Sequence, residues 1–247
     1  MIKKTSILLF LISINLSAQE GTFSPYSFFG VGDNTFSGTA ENRSMGGLSM
    51  FSDSIHLNLQ NPASYSKLKL TTFSVGATGN SLELQDNTTT DNINFTTVDY
   101  IALGIPLNKF GVGIGLKPLT SVGYEIQSVE DNIAKSLNGR GGINTVYLSG
   151  GVDIFKNLRF GITANYNFGD IENKNLIAQS GIERTSREIN KSNVSGLTYD
   201  LGLQYEYRFK KKYLVKSSLG YSPETSIDIQ NDRQLATIIF NNDGSEL

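Results

Sequence analysis

The sequence contains no cysteine, no tryptophan and a single histidine, His56. Without cysteine there is no disulfide bridge, thiolate metal site, iron–sulfur cluster or cysteine nucleophile, and no thiol to carry a lipid anchor. One imidazole is too few for the zinc sites that need two or three. His56 is also the only base available to a serine–histidine catalytic site. We therefore expect no enzymatic activity, no metal and no cofactor.

Charge and long apolar runs are also scarce. Charged residues make up 18% of the chain and its net charge is −2, whereas soluble domains average about 25% charged residues. This balance gives no electrostatic reason to expect nucleic-acid binding. Past the N-terminus no run of about 18 apolar residues occurs, so membrane-spanning helices are not expected. Membrane-spanning strands remain compatible with the composition, because their signal is alternation.

The N-terminus has the three parts of a secretory signal peptide. Lys3 and Lys4 precede an apolar stretch over residues 7–16, and the small residues Ser17 and Ala18 follow it. This arrangement predicts a signal peptide over residues 1–18, with cleavage after Ala18. The mature protein is therefore expected to leave the cytoplasm.

Three long segments alternate between apolar and small or polar residues. The predicted apolar faces are the even positions from Phe110 to Ile126, the even positions from Leu158 to Phe168, and the odd positions from Leu197 to Phe209. A period of two over this length indicates β-strands. Strands in globular proteins are usually about 5–6 residues long, so these segments are unusually long.

Seven strands are expected in all. They lie near residues 69–85, 94–106, 110–126, 143–155, 158–175, 194–209 and 213–230. Short turns at 107–109, 156–157 and 210–212 alternate with long polar stretches at 86–93, 127–142 and 177–191, which are interpreted as loops. This arrangement is typical of an outer-membrane β-barrel. A secreted β-sandwich also alternates, but its wet face usually carries Lys, Glu and Thr, whereas here the second face is rich in Gly, Asn and Ser.

An odd strand count has a consequence for a membrane barrel. Bacterial single-chain barrels have an even number of strands, and an open sheet edge in lipid leaves backbone groups unsatisfied. We therefore expect residues 69–247 to be the strands of an incomplete barrel, with residues 19–68, which lack sustained alternation, as an N-terminal hatch or plug.

The order of these features resembles a known family. The element Arg43-x-x-Gly46-Gly47, the tripeptide Asn61-Pro62-Ala63 ahead of the first strand, and the segments GIPLNKFGVGIGLKPLTSVGYE and GGVDIFKNLRFGITANYNFG are similar to the FadL/TodX family of outer-membrane transport proteins, in the form common in Bacteroidetes. The resemblance covers the N-terminal half of a typical member.

This resemblance implies a 14-stranded antiparallel transmembrane barrel with an N-terminal hatch, located in the Gram-negative outer membrane. It implies passive uptake of hydrophobic compounds such as long-chain fatty acids, with lateral exit through a kinked third strand, here residues 110–126. Pro118 and Gly123 lie within that strand, where proline and glycine favour a bulge or bend. They are the candidate wall kink, and an alternative is a bend near the rim without a gap.

The candidate ligand-binding residues are the aromatic side chains of the hatch, Phe23, Tyr26, Phe28 and Phe29, whose alternative role is packing. Asn61, Pro62 and Ala63 are the candidate hatch-to-barrel motif, because Asn can bond its own backbone and Pro sets φ. The expected partners are a hydrophobic small molecule, outer-membrane lipids and envelope proteins.

A second functional class remains open. The protein would then be a non-transporting outer-membrane barrel that acts as a structural or interaction subunit, as some relatives of that family do with the type IX secretion machinery. A sealed polar lumen would favour this alternative, whereas a continuous apolar path to the strand at 110–126 would favour transport.

Overall fold

One antiparallel sheet contains almost all of the regular structure. The structure is a computed structural model that describes residues 21–85, 90–210 and 212–239. The predicted signal peptide at 1–18 lies outside the described residues, as do the first residues of the hatch and the centre of the loop expected at 86–93. No helix in the described ranges is long and apolar enough to cross a membrane.

The N-terminal part contains three short helices and one short strand. A 3-10 helix covers Pro25–Phe28, an α-helix covers Ala40–Ser44, and a second 3-10 helix covers Pro62–Lys67. The strands are β1 (Asp33–Asn34), β2 (Thr72–Gln85), β3 (Thr90–Leu107), β4 (Phe110–Glu130), β5 (Ile133–Phe155), β6 (Leu158–Gln179), β7 (Thr185–Phe209), β8 (Tyr213–Tyr221) and β9 (Asp228–Ile238).

The strands follow one another in the sheet in the order β2-β3-β4-β5-β6-β7-β8. Strand β8 pairs with the second half of β7, over Leu201–Phe209, and β9 pairs with its first half, over Thr185–Ser195. Strands β8 and β9 are therefore two segments of one path, interrupted at residues 222–227. The seven expected strands correspond to β2 to β7 and this path. The all-β prediction is confirmed, and the sheet curls into a half-barrel.

Two of the expected loops are wrong. Residues 127–142 continue β4 and β5 into a hairpin that closes at Asp131 and Asn132, both of which have positive φ. Two positive φ values in a two-residue connection match a type I′ turn, whose twist suits adjoining strands. Most of 177–191 is likewise strand. Polar residues mark solvent exposure rather than irregular backbone, and this misled the sequence interpretation.

The two faces of the sheet differ sharply. One face, called here the outer face, exposes apolar side chains on successive strands, among them Ile114, Leu148, Ile162, Leu203 and Val215. The opposite, inner face is concave and buries polar residues, glycines and the N-terminal segment. The single apolar face expected over 110–126 is wrong, because a bulge between Pro118 and Thr120 shifts the register of β4. Beyond it Val122 and Tyr124 point to the inner face and are buried.

Candidate functional site

A row of glycines crosses the inner face and supports the N-terminal segment. Gly111 pairs with Gly151, Gly151 with Gly161, and Gly161 with Gly202. We call these four residues the glycine row. A Cβ atom at Gly161 would lie 2.3 Å from the backbone nitrogen of Ala63, and one at Gly151 would lie 2.6 Å from the oxygen of Pro62. Only glycine therefore lets the second 3-10 helix lie this close to the sheet.

The tripeptide Asn61-Pro62-Ala63 begins this helix. The Asn61 side-chain oxygen accepts a hydrogen bond from the Ala63 N–H at 2.9 Å, and the Asn61 amide nitrogen donates to the Ser218 hydroxyl at 2.6 Å and to the Leu203 carbonyl at 3.3 Å. Asn61 thus closes the first turn of its own helix and also bonds to β7 and β8. The role of these three residues as a hatch-to-barrel motif stays a prediction.

An ionic cluster joins the end of the same helix to the sheet. The Glu206 carboxylate pairs with Lys67 and, at 3.2 Å, with Arg159, which also contacts Asp153 at 3.2 Å. The Ser66 hydroxyl donates to Asp153 at 2.8 Å. Arg159 is only 8% exposed, so these carboxylates supply the opposite charge that a buried guanidinium needs. Sequence reasoning missed this cluster, although Arg159 and Glu206 both lie on predicted polar faces.

Two titratable groups of the N-terminal segment have shifted pKa values. Burial raises the pKa of the Tyr65 hydroxyl well above its usual range, helped by the neighbouring Tyr147, to which it donates at 3.3 Å. Burial alone would raise the pKa of the Asp53 carboxyl, but hydrogen bonds from His56 and from the Ile55 backbone outweigh it and lower that pKa. His56 is therefore a structural partner of Asp53, and no metal-binding cluster occurs in the described ranges.

Strand β4 changes its partner between Leu116 and Thr120, where Pro118 lies, and Gly123 lies beyond this change. Strand β3 pairs with β4 only as far as Leu116. Beyond that point β1 takes over, with Asp33 opposite Ser121 and Asn34 opposite Thr120. The assignment of Pro118 and Gly123 as a wall kink stays a prediction. Beyond Leu116, the N-terminal segment therefore takes the place of β3 beside β4, at Thr120 and Ser121.

The four hatch aromatics do not line one enclosed pocket. Phe23 packs edge-on against Phe95, with ring centroids 5.2 Å apart, beside an open cleft of ≈ 670 Å³. Phe28 packs against Tyr124 at 5.3 Å. Tyr26 and Phe29 are 77% and 69% exposed. Nothing in this arrangement tests their assignment as ligand-binding residues.

The inner face has two apolar clusters with a polar belt between them. One cluster contains Leu57, Tyr65, Leu68, Tyr100, Ala102 and Tyr147 under the second 3-10 helix, and the other contains Val122, Tyr124, Ile143, Ile171 and Val194. Buried Thr145, Asn165 and Asn167 lie between them, and the Thr145 hydroxyl donates to Asn167 at 2.7 Å. The described inner face therefore has no continuous apolar path.

Comparison with known proteins overturns the family resemblance. No curated protein and no solved structure matches the chain. The family described as BamG matches residues 1–247, and it is distinct from the FadL/TodX transport proteins. The expectation of fatty-acid or hydrophobic-compound uptake is therefore wrong. The sequence features behind the resemblance fit more than one barrel-like family: a signal peptide, an irregular N-terminal segment and alternating hairpins. They therefore did not distinguish the BamG family from the FadL/TodX family. The chain belongs to the BamG family.

Proposed function

We propose that this protein is a non-transporting interaction subunit of the Gram-negative outer membrane that associates with the BAM complex, the outer-membrane biogenesis machinery. The observation that carries the proposal is the match of the BamG family over residues 1–247. This is the second functional class left open by the sequence, with the BAM complex in place of the type IX secretion machinery as the envelope partner.

The outer face supports a location within the membrane. Along β7 the odd positions from Leu197 to Tyr207 are apolar or aromatic, and most of them are exposed. The ten residue-to-residue steps from Leu197 to Tyr207, at about 3.3 Å each, span about 33 Å along the strand. A strand tilt of about 40° reduces this to a height of about 25 Å, the usual height of the apolar band of an outer-membrane barrel. Lipid acyl chains are therefore the proposed environment of this face.

The curled sheet supports a closed barrel as its complete form. We propose that the seven strand paths are half of a 14-stranded transmembrane barrel and that residues 19–68 are its hatch. Closure would remove the edges of β2 and of the β8–β9 path that have no strand partner among the described residues, because such edges are costly in hydrocarbon. The chain has no cysteine to carry a lipid, so the strands themselves would hold the protein in the membrane.

The inner face argues against a conducting role. The second 3-10 helix lies directly on the glycine row, and the Glu206 cluster ties its end to β6 and β7. The polar belt interrupts any apolar route along the wall. Moving an alkyl chain across buried, hydrogen-bonded Thr and Asn side chains would forgo about 0.8 kcal/mol for each CH₂ that leaves apolar surroundings.

Co-purification tests the proposed function. The full-length protein with an affinity tag would be isolated from detergent-solubilised outer membranes, and the bound proteins identified by mass spectrometry. We expect BAM subunits to be enriched over a control purification of an unrelated tagged outer-membrane barrel. Equal recovery of BAM subunits in both samples would contradict the proposal. Cells that express the protein should also take up labelled fatty acid no faster than cells with the empty vector.

A further inference from the structure

Strands β3 and β4 separate part of the way along the sheet. They pair from Leu107 opposite Phe110 to Ile101 opposite Leu116, and no further pairs between them follow. Strand β4 continues to Glu130 with β5 on its other side, whereas residues 90–100 of β3 pair with β2. The edge of β4 that faces β3 is therefore not bonded to β3 beyond Leu116, and we call this part of the strand the released edge.

The N-terminal segment satisfies the first part of this released edge. The Thr35 N–H donates to the Leu119 carbonyl at 3.0 Å, and the Thr35 hydroxyl donates to the Pro118 carbonyl at 2.6 Å. Strand β1 pairs with Thr120 and Ser121. Finally, the Gly123 N–H donates to the Ser27 hydroxyl at 3.1 Å. A short strand of the chain itself thus already pairs antiparallel with this edge.

The edge then continues without a partner in the part of the chain that the structure describes. Backbone groups of alternate residues point to the same side of a strand. Since Leu119 and Gly123 bond toward β1, the N–H and C=O groups of Glu125, Gln127 and Val129 point to that side as well. Unpaired edge groups of this kind are a template for another strand.

The charged side chains near the point where β3 and β4 separate indicate which kind of strand would bind to the β4 edge. Asp33, Asp99 and Arg43 line a cleft of ≈ 350 Å³ between the N-terminal segment and β3. Arg43 pairs with Asp99 at 3.4 Å, which leaves the Asp33 carboxylate, and the exposed Glu125 carboxylate follows along β4. The uncompensated charge is negative, so a strand with Lys or Arg side chains is favoured.

We propose that the β4 edge over residues 125–129 receives an extended, Lys- or Arg-bearing strand of another envelope protein by β-augmentation, directly beyond β1 and the Ser27 contact. The strand gains main-chain hydrogen bonds from the edge and charge pairing from Asp33 and Glu125. This inference rests on the proposed function, since it gives the interaction subunit its contact surface.

A proline substitution isolates the edge. Gln127→Pro removes an N–H that points to the open side, while the bonds that β4 makes with β5 on its other side are kept. Gln127→Ala is the matched control, because it shortens the same side chain and keeps the N–H. A photoreactive phenylalanine analogue at Val129, which is exposed on the same edge and leaves Glu125 in place, reports the neighbour on the edge. The same analogue at Asn193, in β7, is the positional control. Each variant is compared at equal amounts of folded protein in the outer membrane.

We expect the position-129 probe to form an adduct with a BAM subunit, at a segment that contains Lys or Arg. The adduct should be lost with Gln127→Pro, retained with Gln127→Ala, reduced several-fold by an additional Asp33→Lys change and absent at position 193. Adducts that survive Gln127→Pro, or that form only with a second copy or with the chain's own N-terminal residues, would overturn the inference. If BAM subunits co-purify without such an adduct, the edge proposal fails and the proposed function stands. If they do not co-purify, the proposed function itself fails.

Discussion

At the scale of the residue, Gly151 shows how one missing side chain positions a whole segment. A Cβ atom there would meet the Pro62 oxygen at 2.6 Å and the Ser66 nitrogen at 2.9 Å, whereas a Cβ at the adjacent Gly150 would meet nothing within 4 Å. We expect Gly151→Val to destabilise the docked N-terminal segment by about 1–3 kcal/mol through overpacking. Gly150→Val, on the opposite face, should have little effect. Urea unfolding in detergent and tryptic cleavage after Lys67 would measure both.

Glu206 is a second residue that holds the N-terminal segment on the sheet, because its carboxylate pairs with several cationic side chains. We expect Glu206→Gln to lower the free energy of unfolding by about 1–3 kcal/mol, since Lys67 and the buried Arg159 would lose a partly buried anionic partner. Arg140→Gln is the control, because Arg140 pairs with Glu172 on an exposed part of the sheet and such pairs contribute about 0–1 kcal/mol. Equal effects of the two changes on the unfolding midpoint would contradict the structural role of the cluster.

At the scale of the element, the β4–β5 hairpin depends on its two-residue turn. Asn132 has a φ of 67°, which Asn tolerates and glycine adopts freely. We expect Asn132→Ala to cost about 1 kcal/mol and Asn132→Gly to be neutral or stabilising. Hydrogen exchange of the amides in 127–136 would report the change. Faster exchange in the glycine variant than in the alanine variant would contradict the turn assignment.

The bulge in β4 shows which part of an element can be read from its residues. Pro118 marked a strand irregularity, because proline has no N–H to donate to the ladder. The effect of this irregularity on side-chain direction could not be predicted from the residues. One extra residue in the strand sends every following side chain to the opposite face of the sheet. Ile114 is consequently exposed and Val122 buried, although both have even numbers. Alternation predicts faces only within an uninterrupted register.

At the scale of the whole molecule, the exposed apolar band should behave as a lipid-facing surface. Ile162 is 47% exposed in the middle of the band, whereas Ser195 lies on the same face just beyond it. We expect Ile162→Arg to cost about 2–4 kcal/mol and Ser195→Arg about 0–1 kcal/mol, because the penalty for Arg falls from the centre of the bilayer to its surface. Folding into lipid vesicles, followed by gel mobility without heating, would measure the difference. Equal penalties would contradict membrane insertion of this face.

The candidate site was predictable only in part, for reasons visible in single residues. The turn at Asn61-Pro62-Ala63 could be anticipated because its chemistry is local, whereas its role as a hatch-to-barrel motif stays a prediction. The glycine row was not, because Gly111, Gly151, Gly161 and Gly202 are far apart in the chain and become neighbours only through the register of four strands. The sequence interpretation also did not predict the partner, because it favoured transport of a hydrophobic compound over association with another protein.

The sequence by itself determined the strands and the absence of thiol and multi-histidine chemistry, because alternation and composition are properties of neighbouring residues. Only the tertiary structure decided where the polar hairpins end, which side of β4 faces inward after Pro118, and what the N-terminal segment touches. These features depend on pairing between distant segments, and hydrogen-bond register is a property of two strands together.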